Sequence, residues 1–221
     1  MRGMKRRALL LASLAAPLAL AAAPGALRAQ PRFQPNAQDR ADIARIETYL
    51  NGLRTLKANF MQVAPNGQIA AGNAWLARPG RMRFEYFPPS PFLLVAGGGL
   101  LVFHDKQLRQ TSNVFLSQTP LGILLADKVQ LSGDLTVLDL KREPGLIQVT
   151  VTRTSSPGEG NLTLFFTDRP LALRQWVVLD AQRQETRVTL SNVELGGTFD
   201  DKLFQFIDPN IVNPPASNQG G

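Results

Sequence analysis

The side chains able to do chemistry are few, and most lack the neighbours that chemistry needs. His104 is the only histidine and it precedes Asp105. A His-Asp pair suits a metal-dependent phosphohydrolase, but such a site needs further histidines and there are none. As the base of a Ser–His–Asp triad, His104 would sit in a predicted strand, and no Gly-x-Ser-x-Gly elbow presents a serine to it. Gly97-Gly98-Gly99 lacks the Lys-Ser/Thr of a phosphate-binding loop and precedes a predicted strand rather than a helix, so it reads as a turn. Asn161-Leu162-Thr163 fits a glycosylation acceptor, a pattern too common to carry weight. Having no cysteine excludes disulfides, a thiol nucleophile, thiolate metal sites and a lipid-modified cysteine anchor. No metal, cofactor or enzymatic activity is expected.

The formal charge is +7, from 24 Lys and Arg against 17 Asp and Glu. Arg2, Lys5, Arg6, Arg7 and Arg28 fall in residues 1–29, which hold no acid, leaving 19 basic against 17 acidic residues beyond them. No basic run survives there, so nucleic acid is not an expected partner. Residues 1–29 themselves have the form of a secretory signal: a basic Met1–Arg7, an apolar Ala8–Ala23, and small residues through Ala29. Cleavage is placed after Ala29, with Gly25 as the alternative. The run is short and Ala-rich for a membrane anchor, and Pro17 and Pro24 interrupt it. Lys5-Arg6-Arg7 ahead of Leu9-Leu10 also admits twin-arginine export. The chain divides into a signal (1–29), one domain (30–207) and a loose Pro- and Asn-rich tail (208–221).

The elements that must position any site follow from periodicity. Asp39–Leu53 carries Ile43, Ile46, Leu50 and Leu53 at helical spacing, with Asn36 or Asp39 to cap its start and Asn51-Gly52 as a left-handed stop. From Thr55 the period becomes two. Ala70–Arg78 and Arg81–Tyr86 read as strands around Arg78-Pro79-Gly80, the second setting Met82, Phe84 and Tyr86 against Arg81, Arg83 and Glu85. Phe92–Ala96, Leu100–His104 and Gln107–Thr111 continue the pattern. Thr119-Pro120 begins a short helix through Asp127, with Leu121, Ile123, Leu124 and Leu125 as its apolar residues. Strands follow at Leu135–Leu140, Leu146–Thr154, Asn161–Thr167, Leu171–Leu179 and Thr186–Val193, with a last one at Leu203–Ile207. About eleven short strands and two helical pieces give an α+β fold, an incomplete antiparallel β-barrel whose open concave side the helices cover. The apolar faces suit an ordinary core or a lidded cavity for a greasy ligand, and periodicity does not separate the two.

A resemblance does. Leu56-Lys-Ala-Asn-Phe60-Met-Gln62, Trp75-Leu-Ala-Arg78-Pro79-Gly80, Thr119-Pro120-Leu121-Gly-Ile-Leu124 and Lys202-Leu-Phe204-Gln-Phe206, in that order, make the chain similar to the periplasmic outer-membrane lipoprotein carrier family (LolA). The resemblance implies a half-barrel that shields the acyl chains of lipoproteins in a lidded hydrophobic cavity and moves them from the inner to the outer membrane. It implies a periplasmic monomer loaded by an inner-membrane ABC transporter and unloaded by an outer-membrane lipoprotein receptor. The family's lid-tethering arginine maps to Arg78, whose five fork-like donors suit several carbonyls; a rim arginine in a surface ion pair is the plain alternative. Leu50, Leu53, Met82, Phe84, Leu121 and Leu124 are the expected cavity residues. The rival readings are a periplasmic lipid-sensing or regulatory module on the same half-barrel and an exported hydrolase using His104.

Overall fold

A computed structural model describes residues 33–209; the predicted signal, 1–29, and residues 210–221 of the predicted tail lie outside the described residues. Helix α1 is Ala37–Gly52. Asn36 and Asp39 cap it together: Asn36 Oδ1 accepts from the Asp39 amide and Asp39 Oδ2 from the Asn36 amide, each at 2.9 Å. The expected left-handed stop at Gly52 does not form. Leu53 caps the end instead, its N–H donating to the Tyr49 and Leu50 carbonyls as the chain turns directly into the sheet.

Eleven strands follow, all antiparallel: β1 (Thr55–Val63), β2 (Ile69–Ala77), β3 (Arg81–Tyr86), β4 (Phe92–Gly97), β5 (Leu100–Asp105), β6 (Gln110–Phe115), β7 (Leu135–Glu143), β8 (Leu146–Arg153), β9 (Gly160–Thr167), β10 (Ala172–Asp180) and β11 (Glu185–Leu195). Their order is β6-β5-β4-β3-β2-β1-β11-β10-β9-β8-β7. The first and last strands thus pair mid-sheet, and β6 and β7 are free edges that do not close a barrel. The chain joining those edges, residues 116–134, carries a 3₁₀ turn at Leu116–Gln118 and helix α2 at Leu121–Leu124.

Alternation sorts the two faces of the sheet. Met82, Phe84 and Tyr86 turn inward, with Met82 opposite Ala96 and Phe84 opposite Leu94. Gly72, paired with Phe60, is required where the strands crowd. A Cβ there would stand 2.0 Å from the Glu85 carbonyl and 2.7 Å from the Phe60 ring. Phe60 in turn packs on Phe84, ring centroids 4.5 Å apart.

Three predicted boundaries are corrected. The strand expected at Gln107–Thr111 is β6 at Gln110–Phe115, because Asp105 Oδ1 accepts from the Gln107 and Leu108 amides and prolongs the turn. The helix expected through Asp127 stops after Leu124 because the carbonyls of Leu125, Ala126 and Asp127 bond to the β2–β3 turn. The strand expected at Leu203–Ile207 is a 3₁₀ turn at Asp201–Phe204, capped by Asp200 and laid across the outer face, where Arg81 pairs with Asp201 and Arg83 donates to the Leu203 carbonyl at 3.1 Å. Phe204 and Phe206 cover that face, which explains why the outward-facing Leu93, Val95 and His104 are buried.

Ion pairs hold the first half of α1. Arg142 of β7 reaches Asp39 at 2.8 Å and Asp42 at 2.7 Å, while Arg45 bridges Asp42 and Asp168 of the β9–β10 turn. Bonds from the Asn36 amide and then Arg142 hold the Asp39 carboxyl below the usual carboxylate range. Burial pushes the Asp42 carboxyl up, but bonds from Arg142, Gln38 and Arg45 outweigh it and leave it lowered as well. The unfolded chain therefore binds these protons first, and the clamp's stabilisation is complete above pH about 4 and lost as pH falls through the lowered values. Urea unfolding from pH 6 to pH 2.5 should show a smaller acid loss for Arg142→Met than for wild type. Equal slopes would remove the clamp from the account.

Candidate functional site

The inner face lines a half-open cavity of about 220 Å³. One wing supplies Met82, Phe84, Tyr86 and Leu94, the other Trp176, Val178 and Val188, and α2 closes it with Leu121. Trp176 meets Phe84 edge-on across the gap, centroids 6.0 Å apart. The polar lining is Gln62 and Thr186 with the Tyr86 hydroxyl, which donates to Gln62 Oε1 at 2.8 Å. Burial pushes the Tyr86 phenol up to about 12, and no side chain on the wall is charged at neutral pH. Such a wall suits an apolar, uncharged guest.

Of the six expected cavity residues, Met82, Phe84 and Leu121 stand on this wall. Leu50, Leu53 and Leu124 are buried in the continuous apolar core under the two helices, off the wall. The contributions of β10 and β11 were not read from sequence. Trp176, Val178 and Val188 show only strand alternation there, and their place opposite β3 depends on the non-local pairing of β1 with β11.

Arg78 follows β2 and is buried, 5% exposed. Its Nε and Nη2 donate to the Ala126 carbonyl at 2.8 and 2.5 Å, and Nη2 to that of Asp127 at 3.2 Å. Nη1 donates to the Leu50 carbonyl and, at 3.4 Å, to that of Leu53. Gly80 N–H adds a bond to the Leu125 carbonyl at 2.8 Å. One turn between β2 and β3 thereby ties the end of α1 and the end of α2. Burial, with the neighbouring Arg54, pushes the Arg78 pKa down against the opposing pull of Asp127, yet a guanidinium keeps its charge at neutral pH. Arg78 makes no ion pair among the described residues; Asp127 gives its carboxylate to Arg54 at 3.1 Å.

His104 lies on the outer face, away from the cavity. Its Nδ1 is 3.0 Å from Thr111 Oγ1 and its ring packs on Phe206, while the Asp105 carboxylate serves the following turn. The two do not form a dyad. Among the described residues no cluster of three His, Asp or Glu could hold a metal ion, and no helix is long and apolar enough to cross a membrane.

The family model "Outer membrane lipoprotein carrier protein LolA" matches residues 51–207. The chain belongs to this family. An outer-membrane lipoprotein carrier protein of Methylococcus capsulatus is 31% identical over 179 residues, covering 77% of this chain and 85% of that one. One of Dechloromonas aromatica is 27% identical over 177 residues, covering 76% and 84%. A solved LolA superfamily protein from Nitrosomonas europaea aligns with 74% of this chain and 97% of its own at 11% identity and TM-score 0.43. The LolA family is named for carriage rather than for a reaction.

Proposed function

We propose that the chain is a periplasmic lipoprotein carrier, exported by the segment ending near Ala29, that shields acyl chains between half-barrel and helices and moves lipoproteins from the inner to the outer membrane. The uncharged cavity beneath helices tied by Arg78 carries this reading. At about 0.8 kcal/mol per buried CH₂, a chain of fifteen methylenes loses roughly 12 kcal/mol on crossing water bare, so a lipoprotein needs cover. The 220 Å³ present is below the range of roughly 300–1,000 Å³ that ordinary ligands fill, so taking up acyl chains requires the space to widen. Lifting the lid adds the core leucines Leu50, Leu53 and Leu124 to the surface around Met82, Phe84 and Leu121. Arg78 is the latch: its carbonyl partners are restored on closing, which offsets the loss of cargo contacts and helps expel the chains. The chain has no nucleotide-binding motif, so loading draws on an inner-membrane ABC transporter and unloading on an outer-membrane receptor.

The test is a transfer assay. Protein beginning at Gln30 is incubated with vesicles holding a triacylated lipoprotein, the transporter and ATP, then with vesicles bearing the receptor. The carrier reading expects ATP-dependent appearance of lipoprotein in the supernatant with this protein, then its delivery. Uptake without delivery would favour a lipid sensor, and no uptake would overturn the reading.

A further inference from the structure

The ends of residues 116–134 are anchored by the Leu116 N–H to the Gly99 carbonyl and by Thr154 to the Gly133 and Asp134 carbonyls. Between those ends the Arg78 turn holds one stretch, and a second set of bonds to the segment lies on α1. Asn51 grips the Val129 peptide from both sides: Nδ2 donates to the Val129 carbonyl at 2.8 Å, and the Val129 N–H donates to Oδ1 at 2.9 Å. One helical turn earlier, Glu47 Oε1 accepts from the Leu131 N–H at 2.5 Å. Spacing of four places both side chains on one face of α1. The side chains of Val129 and Leu131 are buried, so these bonds also keep two apolar residues in the core.

The platform they act from is fixed. Arg142 and Arg45 clamp the first half of α1 to β7 and the β9–β10 turn, and Tyr49 Oη accepts from the Leu173 N–H at 3.0 Å. At its other end only Leu53 and Arg54 separate α1 from β1. The 122–135 segment borders a groove of about 390 Å³ lined by Gly122, Val129 and Arg153, whose Nε lies 3.6 Å from Glu159 Oε2.

We propose that Asn51 and Glu47 form a second latch, holding residues 129–131 onto a stationary α1, and that acyl chains enter only when both this latch and Arg78 release. The moving lid is then the α2 segment between the free edges β6 and β7, with α1 as its seat. The proposal rests on the carrier reading, with Asn51 and Glu47 as positioning residues that set how often the lid lifts. The Asn51 bonds are neutral and each is worth little net, while the Glu47 carboxyl is part-exposed and returns to water when its bond to Leu131 breaks, so neither side chain is stranded.

The test uses Asn51→Ala, Glu47→Ala and Glu47→Gln, the last keeping an acceptor for Leu131. Amide hydrogen exchange is read at Gly122, Ile123 and Leu125, which bond to the Thr119, Pro120 and Leu121 carbonyls and touch neither residue. Binding of a dansylated fatty acid is read beside it, with Arg78→Leu in parallel. Asn51→Ala should exchange those amides about tenfold faster and bind the probe about tenfold tighter, with strand amides such as Val149 and Leu164 unchanged and Glu47→Gln close to wild type. Unchanged α2 exchange, or equal acceleration in the strands, would overturn the second latch. A tighter Arg78→Leu beside an unaltered Asn51→Ala would overturn it while the carrier reading stood. Should neither wild type nor Arg78→Leu bind the probe, the carrier reading falls and the exchange pattern alone decides the latch.

Discussion

Replacing Arg78 with leucine should leave the half-barrel folded and make cargo harder to release. The Leu50, Ala126 and Asp127 carbonyls lose their donor, and a buried acceptor left unpaired costs about 1–3 kcal/mol. Lifting the lid carries the Ala126 and Asp127 carbonyls into water and uncovers that of Leu50, so the cost falls on the closed form and not on the sheet. A loss of about 3 kcal/mol from the closed form shifts the lid equilibrium roughly a hundredfold toward open, and apparent affinity rises in step while the closed form dominates. A fluorescent acyl probe should therefore dissociate far more slowly from Arg78→Leu, with urea unfolding of the sheet little changed. Arg78→Lys should fall between the two, because an ammonium has three donors and no planar fork to serve carbonyls on two segments. Wild-type release from Arg78→Leu would remove the latch.

Met82→Glu should abolish acyl binding at neutral pH. Met82 is buried on the cavity wall between Leu76 of β2 and Ala96 of β4. A carboxylate there has no partner on a wall without charge, and burying it costs several kcal/mol, enough to lower probe affinity at least about a hundredfold. The apolar surroundings raise the pKa of the new carboxyl, so the neutral form returns as pH falls through that raised value. Affinity of the variant should accordingly rise from pH 8 to pH 5, while Met82→Gln stays flat and Met82→Leu binds like wild type. Binding by Met82→Glu at pH 8 equal to wild type would place the acyl chains elsewhere.

Local signals carried much of this architecture, and long-range ones did not. The strand Arg81–Tyr86 lies where its alternation put it, and the Asn36/Asp39 start of α1 was legible because a capping box is local. Arg78 was legible as a residue through a resemblance. Its grip on Leu50, Ala126 and Asp127 depends on contacts 28 to 49 residues away in sequence, which periodicity does not encode. Asn51 was read as a helix stop because Asn-Gly commonly ends helices; its bond to Val129, 78 residues on, overrides that role. The last segment, Leu203–Ile207, was read as a final strand. Outward-facing Arg81 and Arg83 instead draw it over the outer face as a 3₁₀ turn. On the cavity wall, Trp176, Val178 and Val188 were missed for the same reason, since they reach it through the pairing of the first strand with the last.

Native mass spectrometry tests the central claim most directly. Wild type and Arg78→Leu would be purified side by side from the envelope of producing cells, without detergent. The carrier account predicts a one-to-one complex with a triacylated lipoprotein, scarce in wild type and enriched in Arg78→Leu. Only free protein in both, even after incubation with lipoprotein, transporter and ATP, would contradict it and leave the apolar faces as core.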